Sequence, residues 1–372
     1  MSEAAYFYPL TGDDYLSWLA QNDIAYRTIG TGYSGSSLIA IEQPGQGQPV
    51  LITAGSHACE PAGIAAALWL AKNWRWPFPL SVVALRDPFG CGSYADLLGA
   101  ALDKPVQFCS YPELQTILLQ NAKRVLAHDE NGLTLVEIQG ILFSNIPRCD
   151  GRYGPLQNTE AIDQFFHEHP SLAEEMVGRR VVTAANYPPS AEKVGQYDRV
   201  YTAVIVPGGK FANLNRCFGG EFEADEVRAL RQYTDQLRPC LTLDLHEGFG
   251  SSYYFFVPEY ACGTRQEEIV RIMAAAAAAC CPAGPYRMAD LQLASPLAPK
   301  RFYEPIPGVM SDKPLPAGHS RHGLSGTTFC GYAAGFGPAL TVESGTEADF
   351  SSRVKIHLAS ASAVLDSMAS QK

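Results

Sequence analysis

An α/β fold, with a mixed, largely parallel central sheet and helices on both faces, follows from three observations. Short apolar runs alternate with helical patterns along most of the chain. The run Val50-Leu51-Ile52-Thr53-Ala54 has no polar alternation and reads as a strand covered on both faces. Residues fit for chemistry stand just after several such runs, where open α/β sheets collect ligands. At 372 residues the chain exceeds one ordinary domain, so it is one large domain with insertions or two domains. Hydrophobic residues make 47% and charged ones 18%, which suits a well-cored globular protein and excludes a disordered one.

In chain order, apolar runs predict strands over 49–53, 80–85, 200–206, 241–245, 253–257 and 339–343. Helices are expected over 64–74, 111–126, 224–237, 265–281 and 349–368, with Pro61 close to the first turn of the first one. Residues 1–47 read as an N-terminal extension packed on the core, and 48–372 as the main domain. Within it, 103–196 holds a helical pattern, the apolar run 133–143 and a Gly/Pro-rich turn. That region reads as an insertion packed beside the sheet. Residues 283–338 are rich in Pro and Gly with few periodic runs, as loops that build a binding site are.

Charge and cysteine usage narrow the function classes. A net charge of −10 argues against a nucleic-acid partner, since phosphate contacts demand a basic face. No apolar run approaches the ~20 residues that span a bilayer, so no membrane partner is expected. The start, Met1-Ser2-Glu3-Ala4-Ala5-Tyr6-Phe7, lacks the pattern of a signal peptide. Ten cysteines without regular spacing and without a Cys-x-x-Cys pair resemble neither a disulfide framework nor a thiolate metal site. A cytoplasmic location with reduced thiols is the expectation.

The most informative segment is Gly55-Ser56-His57-Ala58-Cys59-Glu60-Pro61-Ala62-Gly63. A His and a Glu three residues apart, just past a strand, can turn both side chains toward one point. An imidazole nitrogen and a carboxylate oxygen meeting there suit a zinc ion. The alternative is a hydrogen-bonded His at a helix start beside a Glu favoured by the helix dipole. Further along stand Asn213-Leu214-Asn215-Arg216 after the 200–206 run, His246-Glu247-Gly248 at the end of 241–245, and Ala339-Leu340-Thr341-Val342-Glu343.

These four motifs in this order resemble the zinc carboxypeptidase superfamily, including its succinylglutamate desuccinylase and aspartoacylase branch. The resemblance spans about residues 48–370 with long unmatched stretches between motifs. It implies a zinc carboxypeptidase-like fold whose insertion lies between the second and third metal ligands. It also implies one zinc ion held by His57, Glu60 and His246, with a fourth position open for water. Glu343 would then be the general base, with Glu347 as its rival. Asn215 and Arg216 would bind the substrate's free carboxylate, for which a planar guanidinium is well shaped. Arg199 is placed as the family's oxyanion cation would be; Lys210, Arg148 and Arg152 stay open as alternatives. Tyr332 lies in a segment like the one that precedes the family's catalytic strand and would line the substrate site.

Several positions depart from the pattern. Cys59 stands where many members have a polar residue, and its thiol is either packing or an oxidation-sensitive spot. Asn213 replaces the usual Asp. The family's mobile Tyr is absent, and His319-Ser320-Arg321-His322 occupies that loop. Arg321 or His322 could contact substrate there, while His319 and His322 read as a solvated loop before a second metal pair. The resulting expectation is a zinc hydrolase that cleaves an amide bond next to a free carboxylate. Peptides lead as the substrate and N-acyl amino acids follow, since Asn215-Arg216-Cys217-Phe218-Gly219-Gly220 resembles the deacylase branch's Asn-Arg-x-Phe-Pro-Gly. A catalytically silent binding protein is the remaining class. A homo-oligomer is compatible with the long insertion, because insertions often end at interfaces.

Overall fold

The computed structural model describes residues 6–129, 132–146, 154–184, 199–219, 222–294, 301–313 and 328–371. In chain order its strands are β1 (Tyr26–Thr31), β2 (Ser37–Gln43), β3 (Val50–Ala54), β4 (Leu80–Val83), β5 (Arg124–His128), β6 (Thr134–Ile138), β7 (Ile141–Asn145), β8 (Arg180–Ala184), β9 (Val200–Val206), β10 (Lys210–Ala212), β11 (Leu241–Gly248), β12 (Tyr253–Val257), β13 (Phe302–Ile306), β14 (Val309–Asp312) and β15 (Ala339–Gly345). They form two sheets, one of nine strands in the order β1-β2-β4-β3-β11-β15-β12-β14-β13 and one of six in the order β10-β9-β8-β7-β6-β5.

The middle of the nine-stranded sheet, β4-β3-β11-β15, is parallel throughout. Every residue of β3, β4 and β15 is buried, because helices cover both faces of this block. On one face lie the helices Pro61–Lys72, Arg265–Cys280 and Phe350–Ser370, packed through Ile64, Leu68, Val270, Met273, Val354 and Val364 against Ile52, Leu243, Leu245 and Val342. On the other, Val227 and Leu230 of the helix Asp225–Leu237 pack on Leu38, Ala40, Leu51 and Val83. Toward the edges the sheet turns antiparallel, at β1/β2, β2/β4, β15/β12 and β14/β13. The strands β1 and β2 fall in the expected N-terminal extension and extend the central sheet at its β4 edge.

The six-stranded sheet is antiparallel except for β7/β8. It too is covered on both sides, so neighbours in sequence serve different cores. Leu135, Leu142 and Val181 meet Ile162, Phe166 and Met176, while Val136, Phe143 and Val182 meet Tyr94, Leu98, Leu114 and Leu118. Its span, Arg124 to Ala212, is shifted from the insertion expected at 103–196, and it takes in β9, which the sequence reading grouped with the central sheet. The helical pattern at 111–126 stops at Asn121 because Arg124–His128 pairs with β6. The apolar run 133–143 is a hairpin, turning where Gln139 (φ 51°) and Gly140 (φ 81°) adopt left-handed backbone. No helix among the described residues is long and apolar enough to cross a membrane.

Candidate metal centre and its cleft

The parallel strands β3, β11 and β15 lie side by side, so their C-terminal ends emerge together. Their register pairs Thr53 with Asp244, Asp244 with Thr341, and His246 with Glu343. Partners in register share a face, as do residues two apart on one strand. One face at the strand ends therefore carries Thr53, Asp244, His246, Thr341 and Glu343. The intervening Leu243, Leu245 and Val342 point into the apolar core.

Two glycines bring the loop after β3 to the same place. Gly55 turns the chain with φ +63°. At Gly63 a Cβ would lie 2.6 Å from the carbonyl oxygen of Leu245, so only glycine lets the helix Pro61–Lys72 rest on β11. The helix start is also tied down by Ala62, whose N–H donates to Glu247 Oε1 at 2.5 Å, while the Glu247 carboxylate pairs with buried Arg353. Glu60, the residue just before the helix, is thereby held against β11.

The result is a compact set of donors. His57 Nδ1 is 2.6 Å from Glu60 Oε1, and His246 Nδ1 is 3.0 Å from Glu60 Oε2. One ligand atom from each of the three lies within 4.8 Å of the others. Two imidazole nitrogens and a carboxylate oxygen converging from a rigid strand end fit a zinc ion. The far side of His246 agrees with this: its Nε2 is 2.9 Å from Asp244 Oδ2, and an acceptor there holds the proton on Nε2, leaving the Nδ1 lone pair free for a metal. Asp244 is itself fixed by Thr53 Oγ1 at 2.7 Å and Arg86 Nη1 at 2.6 Å. Burial acts to raise the Asp244 carboxyl, but Arg86 and His246 outweigh it and hold the group well below the usual range. Glu60 is likewise pulled down to about 2, burial being outweighed by His57 and His246.

Beside this centre lies a cleft, partly open to solvent, lined by His57, His246, Glu343, Asn215, Arg216, Arg301, Asp312 and several apolar side chains. Glu343 is 9% exposed. Burial pushes its carboxyl up to about 8, with Glu60 and Asp244 adding to the rise and His246 and Arg216 opposing it. Such a group can take and hold a proton near neutral pH. The rival Glu347 is exposed and outside this lining. Arg216 stands in the cleft at the end of the turn Leu214–Arg216. Asn215, beside it, faces the metal side: its Oδ1 accepts from Phe329 N–H at 2.9 Å and Arg86 Nη2 at 3.3 Å, and its Nδ2 is 3.5 Å from His246 Nε2.

Other predicted residues lie elsewhere. The Arg199 guanidinium, expected as the oxyanion cation, stacks on Tyr8 at 4.6 Å and is not among the residues that line the cleft. Tyr332 also lies outside that lining; its hydroxyl donates to Asp235 and its ring packs near Phe218 and Phe336. Lys210 is exposed on the β9/β10 hairpin. Cys59 is buried in the apolar cluster of Leu135, Tyr201 and Phe211, as a packing thiol. Arg148, Arg152, His319, Arg321 and His322 lie outside the described residues. Sequence reasoning passed over Asp244, Arg86, Tyr201 and Arg301. Asp244 had a signal, since Asp-x-His on one strand puts both side chains on one face. Tyr201 packs its ring 5.2 Å from that of His57, and neither it nor the two arginines belongs to a local pattern.

No protein-family model matches the sequence, and no curated protein does. Solved structures do. In overall fold the chain is similar to a metallo-carboxypeptidase from Burkholderia cenocepacia, at TM-score 0.49 and 10% identity, with 99% of this chain and 71% of that one covered. It is similar also to bovine thrombin-activatable fibrinolysis inhibitor in complex with tick carboxypeptidase inhibitor, at TM-score 0.47 and 10% identity, over 99% of both chains.

Proposed function

We propose that this protein is a zinc-dependent hydrolase that cleaves an amide bond next to a free carboxylate, in the manner of a carboxypeptidase. The observation that carries this reading is one convergence: His57, Glu60 and His246 meet at a strand end, and Glu343 and Arg216 face the same cleft. Zinc held there would polarise the scissile carbonyl and acidify water. The remaining steps belong to the protein. Arg216 offers a planar guanidinium to the substrate's free carboxylate and so sets which bond lies beside the metal ligands. Glu343 takes the proton that the attacking water loses and returns it to the leaving nitrogen, as its raised affinity for a proton suits it to do. Asp244 orients His246 from behind and touches no substrate, while Asn215 lines the cleft beside Arg216.

The test is mass spectrometry of products after incubation with mixed peptides and with a panel of N-acyl amino acids, with and without a chelator. Chelator-sensitive loss of single C-terminal residues is the expected result. Cleavage of the acyl amino acids alone would move the protein to deacylases, and chelator-insensitive or absent cleavage of both would remove the hydrolase reading.

A further inference from the structure

The cleft holds two guanidinium groups, and the function proposed above employs one. Arg216 comes from the turn after β10; Arg301 comes from a separate part of the chain, one residue before β13. Both line the same space as His57, His246 and Glu343. Among the described residues Arg216 makes no ion pair, and its Nη1 donates only to the carbonyl of Asn215 at 3.2 Å. Arg301 is anchored at one edge: Nε donates to Asp312 Oδ1 at 2.9 Å, and the guanidinium lies 4.8 Å from the Phe302 ring. The β13/β14 register, which sets Phe302 opposite Asp312, fixes that arrangement. A guanidinium held at Nε and stacked on a ring has its plane set in advance, with both Nη groups left to meet a carboxylate as a fork.

We infer that Arg301 is the specificity-determining residue of this cleft and selects substrates with a second carboxylate, namely those whose terminal residue is Glu or Asp. The inference rests on the hydrolase reading above: Arg216 holds the free carboxylate and Arg301 the side-chain one. The two guanidiniums repel across the cleft, the charge of Arg301 being offset at its Nε edge by Asp312, and an anion meeting both would reduce that repulsion. In keeping with this, burial and then Arg301 pull Arg216 below its ordinary range. A basic side chain would be repelled from Arg301, and a neutral one would leave its fork unmet. The whole chain carries a net charge of −10, so an acidic substrate needs cations placed locally to draw it in.

Two measurements on the zinc-loaded protein test this. The first needs no turnover: titration calorimetry with glutarate and with butyrate, on wild type and Arg301→Gln. Glutarate should bind wild type about tenfold to a hundredfold more tightly than butyrate, as one charge-assisted pair implies, and the gap should close in Arg301→Gln. Equal binding to wild type, or an undiminished gap in the variant, overturns the inference. The second compares kcat/KM for release of C-terminal Glu and C-terminal Gln from otherwise identical peptides. The ratio should favour Glu in wild type, fall toward one in Arg301→Gln, and turn toward Lys-ended peptides in Arg301→Glu. Chelator-sensitive release of neutral residues as fast as Glu, with glutarate and butyrate bound alike, removes the acidic subsite and leaves the hydrolase. A glutarate preference lost in Arg301→Gln, with no peptide or acyl amino acid cleaved, keeps the anion subsite and removes the hydrolase.

Discussion

Glu343 and His246 are register partners on adjacent parallel strands, which separates the base from the ligands by one strand spacing and lets each be removed without the other. Substituting Glu343→Gln keeps shape and removes the proton acceptor. Zinc content by elemental analysis should stay at the wild-type level while turnover falls by about a hundredfold to ten-thousandfold. A variant with full turnover would take Glu343 out of the mechanism. Asp244 acts through His246 alone. Asp244→Asn leaves a group of the same shape but lets the imidazole choose its other tautomer, so zinc affinity measured by chelator competition should drop about tenfold to a hundredfold. Affinity equal to wild type would show that Arg86 and Thr53, which also grip Asp244, serve only the packing of the sheet.

At the level of elements, the site depends on how closely the helix Pro61–Lys72 approaches β11. Gly63→Ala puts a methyl 2.6 Å from the Leu245 carbonyl oxygen, and the helix must lift, carrying Glu60 with it. The expected cost is about 1–3 kcal/mol of stability in urea, accompanied by weaker zinc binding. Ala66→Gly, on the same helix, should cost about 1 kcal/mol and leave zinc binding alone. If the two variants bind zinc equally, the close approach matters only to packing. This element was legible in the sequence because Gly-x-His-x-x-Glu-Pro-x-Gly combines a turn, two ligands and a helix start within nine residues. β11 and β15 were legible for a similar reason, as short strand-like runs of Leu241, Leu243, Leu245 and of Leu340, Val342 that lead straight into His246 and Glu343. The edges were not. β5 holds only the three apolar residues Val125-Leu126-Ala127, at the end of a helical pattern, and β13, Phe302-Tyr303-Glu304-Pro305-Ile306, has a Pro and no alternation, so neither reads as a strand. Arg301 stayed hidden with it, because what brings it to the cleft is the pairing of β13 with β14.

The molecule as a whole is two sheets joined by a buried ionic junction. Arg180 of β8, 1% exposed, reaches across to Asp87, just beyond β4, at 2.5 Å and to Glu226, on the helix Asp225–Leu237, at 3.1 Å. Thr202 of β9 also donates to Asp87, and the N–H of Tyr33 donates to Glu226 at 2.8 Å. The second sheet meets the metal centre as well, since Tyr201 of β9 packs on His57. Junction and site therefore share a wall, and loosening one should loosen the other. Arg180→Met leaves two carboxylates buried without their cation, which should cost about 3–5 kcal/mol, and adding Asp87→Asn and Glu226→Gln should restore part of it. Arg75→Met, which breaks the exposed pair with Asp366, should change stability by less than about 0.5 kcal/mol. The informative comparison is urea unfolding with and without zinc, because a ligand of the folded state adds stability that grows with the logarithm of its affinity. If the sheets act as one unit, Arg180→Met lowers the midpoint and shrinks the shift that zinc produces. A lowered midpoint with an unchanged zinc shift would mean that the second sheet can loosen while the metal site stays whole, and that Tyr201 only lies beside His57.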